Sequence, residues 1–292
     1  MKIHTECIPC LVKRIIFESK QSTQDTTKHA KAIQTACRII SEQYDPSICS
    51  ADLATLVHKQ VYDILETDDP YKALKDHSNR VATYLIPRVK ELISSSENPL
   101  KTSMLCAIIG NMMDFGIEGG SPDPSMLKHT FEELYAEGIG YDEYDHLEGF
   151  IRSAQHLMLF TDNCGEIVFD KVLCQELKHY KPTLTIDLVV KGEPVLSDAT
   201  LHDAQALDFD DVVDHIYTTG CYAVGVNPRK FPKEVKDALA HTDLIVCKGM
   251  ANYESFSETS YHPIAYLMRT KCRPIATSMK IPVNVNAIKM YP

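Results

Sequence analysis

The feature that most limits the fold is a change of hydrophobic period near residue 155. Before it, apolar residues recur at helical spacing: Ile33, Ala36, Cys37 and Ile40, then Leu53, Leu56, Val57, Val61, Ile64 and Leu65. Ser50 stands before the second run as an expected N-cap, and Asp52 suits the positive end of the helix dipole. Further helices are expected near 71–93, 100–113, 123–137 and 142–154, with Pro87 kinking or interrupting the first of them. Turn chemistry occupies 97–100 and 119–124. Beyond 155, short apolar runs rich in β-branched residues take over: 156–162, 183–190, 215–220, 243–249, 263–270 and 283–290. Helical stretches separate several of them. Strands alternating with helices predict a mainly parallel sheet covered on both faces, an α/β fold in three layers. The chain divides into a helical region, 1–154, that caps or supports an α/β part, 155–292.

Composition narrows the function classes. The 292 residues are 44% hydrophobic and 24% charged, which excludes a disordered chain. The net charge of −10 argues against broad nucleic-acid binding, but leaves room for one small phosphorylated ligand held by a few local cations. No run approaches the ~18 apolar residues of a membrane span. The opening MKIHTECIPCLVKRIIF has charges where a signal peptide has an apolar core, so a cytoplasmic location is expected. Ten cysteines spread over a chain of this size read mostly as free thiols.

In an open parallel sheet, ligands bind beyond the carboxyl ends of the strands. The first strand ends in Asp162, Asn163, Cys164, Gly165 and Glu166. The second leads to Asp198 and Thr200, and the third to Thr218, Thr219 and Gly220. The fourth delivers Lys248, Asn252 and Glu254, and the fifth Arg269 and Lys271. Asp162, Asn163 and Asp198 are hard oxygen donors of the kind that suit Mg²⁺ or Mn²⁺. Lys248, Lys271 and Arg269 are candidates to hold phosphate oxygens, and Gly165 opens a helix whose N–H groups can face an anion. Glu166 and Asn252 complete the candidate substrate-binding set. Such a group suits metal-assisted hydrolysis of a phosphate ester. Taken singly, each residue has a plainer reading. Asp-Asn after a strand is turn chemistry, Asp198 can cap a helix at 199–207, and exposed lysines are solvated. Cys164, Cys247 and Cys272 read as buried small residues.

TDNCGEIVFD, KGEPVLSDAT, CKGMANYE and RTKCRPIA, in this order, resemble the DUF89 family of metal-dependent damage-control phosphatases. Cys7-Ile8-Pro9-Cys10 resembles the CxxC of its archaeal and bacterial branch, and Gly110, Asn111 and Asp114 also fit. The resemblance spans essentially the whole chain. It implies a Rossmann-like α/β domain with a helical N-terminal region. It further implies a divalent metal (Mn²⁺, Ni²⁺, Co²⁺ or Mg²⁺) held by Asp162, Asn163 and Asp198, and hydrolysis of sugar phosphates or damaged phosphometabolites. Lys271 falls where the family carries its phosphate-contacting lysine, but Cys272 follows it, so the RTxK form of another branch is not reproduced.

Two chemical routes fit the residues. In one, a metal-activated water attacks phosphorus in line while Lys248 and Lys271 offset charge, with Glu254 or Asp170 as the orienting base. In the other, a carboxylate such as Asp162 attacks first. The absence of Asp-x-Asp at the first strand favours water. His4, Cys7 and Cys10 suggest a second metal, a redox pair or structural packing. The chain lacks a G-x-x-x-x-G-K-[ST] loop, a strand-linked G-x-G-x-x-G and a G-x-S-x-G elbow. The rival to a hydrolase is a protein that binds a metal and a phosphometabolite without turnover. Oligomeric state is not legible.

Overall fold

A computed structural model describes residues 1–113 and 127–292. The first half is helical: α1 (Cys7–Ser22), α2 (Thr26–Gln43), α3 (Ser50–Leu65), α4 (Lys72–Ser94), α5 (Pro99–Ile109) and α6 (Leu127–Glu137). A two-residue strand, β1 (Tyr141–Asp142), and α7 (Tyr144–Ser153) follow. The second half alternates: β2 (His156–Phe160), α8 (Glu166–Tyr180), β3 (Thr185–Val190), α9 (Leu201–Ala206), β4 (His215–Thr218), α10 (Lys233–Leu239), β5 (Leu244–Lys248), α11 (Met250–Phe256), β6 (Ile264–Arg269), α12 (Arg273–Met279) and β7 (Asn286–Tyr291).

The local chemistry explains several boundaries and corrects others. Asp25 caps α2 by accepting from the N–H groups of Thr27 and Lys28. Ser50 does not cap α3: Cys49 holds that position, and the Ser50 hydroxyl donates to the carbonyl of Met1. Leu56 is exposed, whereas Leu53, Val57, Val61 and Leu65 are buried, so the apolar stripe of α3 is narrower than its spacing suggested. Pro87 does not interrupt α4, which runs through it. Asp198 does not cap α9; Thr200 does, in a reciprocal box with Asp203. Asp114, the turn at 119–124 and the start of the helix expected at 123 lie outside the described residues.

Among the described residues, seven strands are ordered β1-β7-β6-β5-β2-β3-β4, all parallel except for the antiparallel β6–β7 pair. The β2–β3 and β2–β5 pairs are in the middle, and the chain builds outward from β2 first on one side and then on the other. The crevice beyond the carboxyl ends of β2 and β5 is therefore a topological switch point. The core crosses residue 154. Met104, Ile108, Phe131, Leu147 and Ile151 pack with Leu157, Leu159, Phe169 and Leu188 in one cluster. Helices α1–α3 add a cluster of their own, around Ile15, Ala36, Val57 and Val61. No helix among the described residues is long and apolar enough to cross a membrane.

Candidate active site

The segment after β2 and the loop after β3 meet backbone to backbone at the switch point. Asn163 and Asp198 form an antiparallel bridge, Ala199 N–H donates to the Asp162 carbonyl at 2.8 Å, and Cys164 N–H donates to the Ser197 carbonyl at 2.8 Å. Asp162, Asn163 and Asp198 thereby come together, only 4%, 2% and 3% exposed. Asp162 Oδ2 accepts from Asn163 Nδ2 at 2.7 Å and from Asn111 Nδ2 at 3.1 Å. Ser197 Oγ donates to Asn163 Oδ1 at 2.6 Å. Asp198 Oδ2 lies 3.2 Å from Lys191 Nζ, which also donates to the Gly225 carbonyl and to Asn252 Oδ1.

Gly249 explains how β5 comes so close. Its φ is 74°, in the left-handed region, and a Cβ there would lie 1.8 Å from Asp162 Oδ2. Only glycine allows the backbone to pass over that carboxylate.

Lys248, expected to hold phosphate, is fully buried and committed elsewhere. It donates to Glu166 Oε1 at 2.5 Å and to the Ala107 carbonyl at 2.9 Å, and it pairs with Asp170 Oδ1 at 3.0 Å. Glu166 and Asp170 are four residues apart on α8 and so face the same way. Glu166 is thus a scaffold acid rather than a substrate contact; its Oε2 accepts from Asn111 Nδ2 and the Asn163 amide. Asp170 is no solvent-facing base: it is buried, and desolvation pushes its carboxyl up to about 7 against the attraction of Lys248. Asn252 is also structural, donating to the carbonyls of Thr161 and Lys248. Glu254 sits two residues further along α11, close to 200° round the helix, and so faces away from the side that Asn252 presents. Its carbonyl instead accepts from the Met1 ammonium and Cys49 Sγ. The Gly165 N–H, expected to face an anion, is taken by Asn79 Oδ1 of α4 at 2.6 Å. Arg269 is held by Glu137 and Asn286.

Lys271 does reach the cluster. It is 6% exposed, and its Nζ donates to the Asn111 carbonyl. The sequence reading missed Lys191 and Gly249. Lys191 left a signal as the first polar residue after the apolar run of β3; Gly249 left none.

The chemistry of the donors indicates what the site can hold. Among the described residues, no three or more His, Cys, Asp or Glu side chains form a metal cluster. The set here has two carboxylates and an amide, with neither thiolate nor imidazole. A half-turn of the Asn163 amide would replace its NH₂ group, now on Asp162, with oxygen. Two carboxylates and one amide oxygen suit a hard divalent cation that keeps waters and accepts a phosphate oxygen. Lys248 offsets Glu166 and Asp170, and Lys191 stands directly against Asp198.

Cys7 and Cys10 lie on the first turn of α1. Glu6, just before them, pairs with Arg273 at 3.9 Å, which brings this turn beside Cys272. Burial pushes the Cys7 thiol up to about 11 and the Cys272 thiol up to about 12, the opposite of the lowered values of reactive cysteines. Cys164 is fully buried and its thiol is raised for the same reason.

The model of the damage-control phosphatase ARMT1-like domain matches residues 3–285. The chain is 36% identical, over 97% of both sequences, to a damage-control phosphatase of Archaeoglobus fulgidus. It is 30% identical to an uncharacterised protein of Methanocaldococcus jannaschii, over 99% of this chain and 95% of the other. The crystal structure of a DUF89 family protein from Pyrococcus horikoshii has the same fold, with a TM-score of 0.89 across 100% of both chains at 24% identity. With the family model spanning nearly its whole length, this chain belongs to the damage-control phosphatase ARMT1-like (DUF89) family.

Proposed function

We propose that Asp162, Asn163 and Asp198 hold the divalent metal with which this phosphatase hydrolyses phosphate monoesters of small metabolites, sugar phosphates or damaged phosphometabolites among them. One observation carries the assignment of the site: the bridge between Asn163 and Asp198 joins three hard oxygen donors, all nearly buried, at the switch point of the sheet. The family is generally metal-dependent. The donor set favours Mg²⁺ or Mn²⁺ over softer ions. Ten cysteines spread along a chain with a net charge of −10 suit a reducing cytoplasm.

When bound, the cation supplies a Lewis acid for the phosphoryl oxygen and lowers the pKa of a water. The chain supplies the rest. Asp162 and Asp198 concentrate negative charge at one point, Asn111 fixes the direction of the Asp162 carboxylate, and Asn163, with its amide turned, would offer an oxygen to the cation. Lys271 brings a positive charge to the Asn111 side, where it offsets charge on the phosphoryl oxygens in the transition state. No Asp-x-Asp follows β2, and Asp162 is assigned to the cation, so water serves as the nucleophile.

The test is phosphate release from a panel of phosphomonoesters by metal-stripped protein, with Mg²⁺, Mn²⁺, Co²⁺ and Ni²⁺ added separately. Turnover should require metal and disappear in Asp162→Ala and Asp198→Ala, with far-UV circular dichroism unchanged. Wild-type turnover in either variant would remove the site. Binding of metal and ester without any turnover would make this centre a sensor.

A further inference from the structure

The loop that delivers Asp198 is held from outside the sheet by the helical half. Leu196, two residues before Asp198, has a φ of 51°, in the left-handed region that residues with a Cβ avoid. Such a conformation persists only where the surroundings impose it. Its N–H donates to the hydroxyl of Tyr62 at 3.2 Å. Its side chain packs with Val195, Tyr62, Tyr71, Tyr222 and Val224.

Tyr62 is itself fixed. It stands on α3, edge-on to Tyr222 at 5.8 Å and to His58 at 6.3 Å. His58 Nδ1 bonds Glu18 Oε2 at 2.9 Å, and the Tyr71 hydroxyl donates to Glu18 Oε1 at 3.1 Å. Glu18 and His58 are almost wholly buried, so this polar network is locked by its own need for partners.

Downstream of Leu196 the loop is already committed to the site. Asp198 N–H closes a tight turn on the Val195 carbonyl at 3.1 Å. Ser197 Oγ then meets Asn163, and Ala199 N–H meets the Asp162 carbonyl. The direction of the Leu196 turn therefore decides whether Asp198 faces Asp162 and Asn163.

We propose that Tyr62 is a positioning residue for the metal centre, its hydroxyl fixing the left-handed turn at Leu196 and through it Asp198. This rests on the assignment of Asp162, Asn163 and Asp198 as the metal-holding set. Groups outside the ligand shell typically change metal affinity about 10- to 100-fold when removed.

The test is calorimetric titration of Mn²⁺ into the metal-stripped full chain, beside a thermal melt. Tyr62→Phe, which removes only the hydroxyl, should weaken Mn²⁺ binding about tenfold. Tyr71→Phe removes a hydroxyl from the same buried network but not from the Leu196 amide; it should lower the melting temperature and leave Mn²⁺ affinity unchanged. Steady-state kinetics at saturating Mn²⁺ should show kcat of Tyr62→Phe recovering towards wild type. Wild-type Mn²⁺ affinity in Tyr62→Phe overturns the proposal, as does an equal loss in Tyr71→Phe. Asp162→Ala separates the two readings: if it keeps wild-type affinity, the metal centre itself is misassigned. If it loses affinity while Tyr62→Phe does not, only the positioning role fails.

Discussion

Lys271 and Asp162 are joined through a single residue. The lysine donates to the carbonyl of Asn111, and the side-chain amide of Asn111 donates to Asp162 Oδ2 at 3.1 Å. The positive charge at the end of β6 and the carboxylate at the end of β2 therefore share one hinge-like partner from the helical half. Lys271→Ala should lower kcat/KM by about 10²–10³-fold, the usual cost of removing a group that stabilises developing charge. Secondary structure should be unaffected. Unchanged kcat/KM in a panel of phosphomonoesters would place Lys271 outside the chemistry.

Gly249→Ala tests the close passage of β5 over Asp162. The added methyl would sit 1.8 Å from Oδ2 and 2.1 Å from Cγ of Asp162, at a backbone φ of 74°. The carboxylate would have to move. Mn²⁺ affinity should fall at least about tenfold, as for groups that orient a ligand. A variant that binds Mn²⁺ like wild type would show that the carboxylate need not hold its present position.

Lys248→Met distinguishes a structural lysine from a phosphate contact. It would strand Glu166 and Asp170 in the interior without their cation, which costs about 3–5 kcal/mol for a broken buried pair. Denaturant unfolding should show that loss. A stable variant whose only defect is a raised KM would restore the phosphate-binding reading.

The Asp170 carboxyl gives stability a pH dependence of definite sign. Burial raises it from the ordinary 3.8 to about 7, so between those values the folded chain holds a proton that the unfolded chain has released. Its contribution is fully present below about 4 and is lost as pH rises through about 7. Asp170→Asn should flatten this part of the stability profile. Denaturation midpoints from pH 4 to 8 that slope identically in both proteins would refute the assignment.

The central β-strands were legible because they pack both faces and so read as short apolar runs, whereas β4 at the sheet's edge is only half-buried. β2 to β7 all fall within or next to the expected segments. β1 was not legible, since two residues beside a helix carry no period and pair only through the backbone of β7. In the candidate site, Asp162 and Asn163 stood out as polar residues just after β2, and Asp198 as an acid in the segment after β3. The two lysines could not be told apart: each follows an apolar run, and only α8, with Glu166 and Asp170, decides that Lys248 is structural. Asn252 and Glu254 were equally opaque, because helix rotation sends residues two apart to opposite sides. The hold of Tyr62 on Leu196 joins distant segments by one backbone N–H and leaves no local trace.

The placement of β7 has a kinetic consequence. It is the last strand in the chain, yet it lies between β1 and β6, so β1 has no place in the sheet until β7 arrives. Contacts so distant in sequence form late, because closing the intervening chain costs entropy before any pairing compensates. β2 and β3, which carry the oxygen cluster, pair across a much shorter stretch, Leu157 with Ile186, and need no such closure. Pulse-labelled hydrogen exchange during refolding should protect the amides of β2 and β3 before those of β1, so that one wall of the crevice takes shape ahead of the sheet's edge.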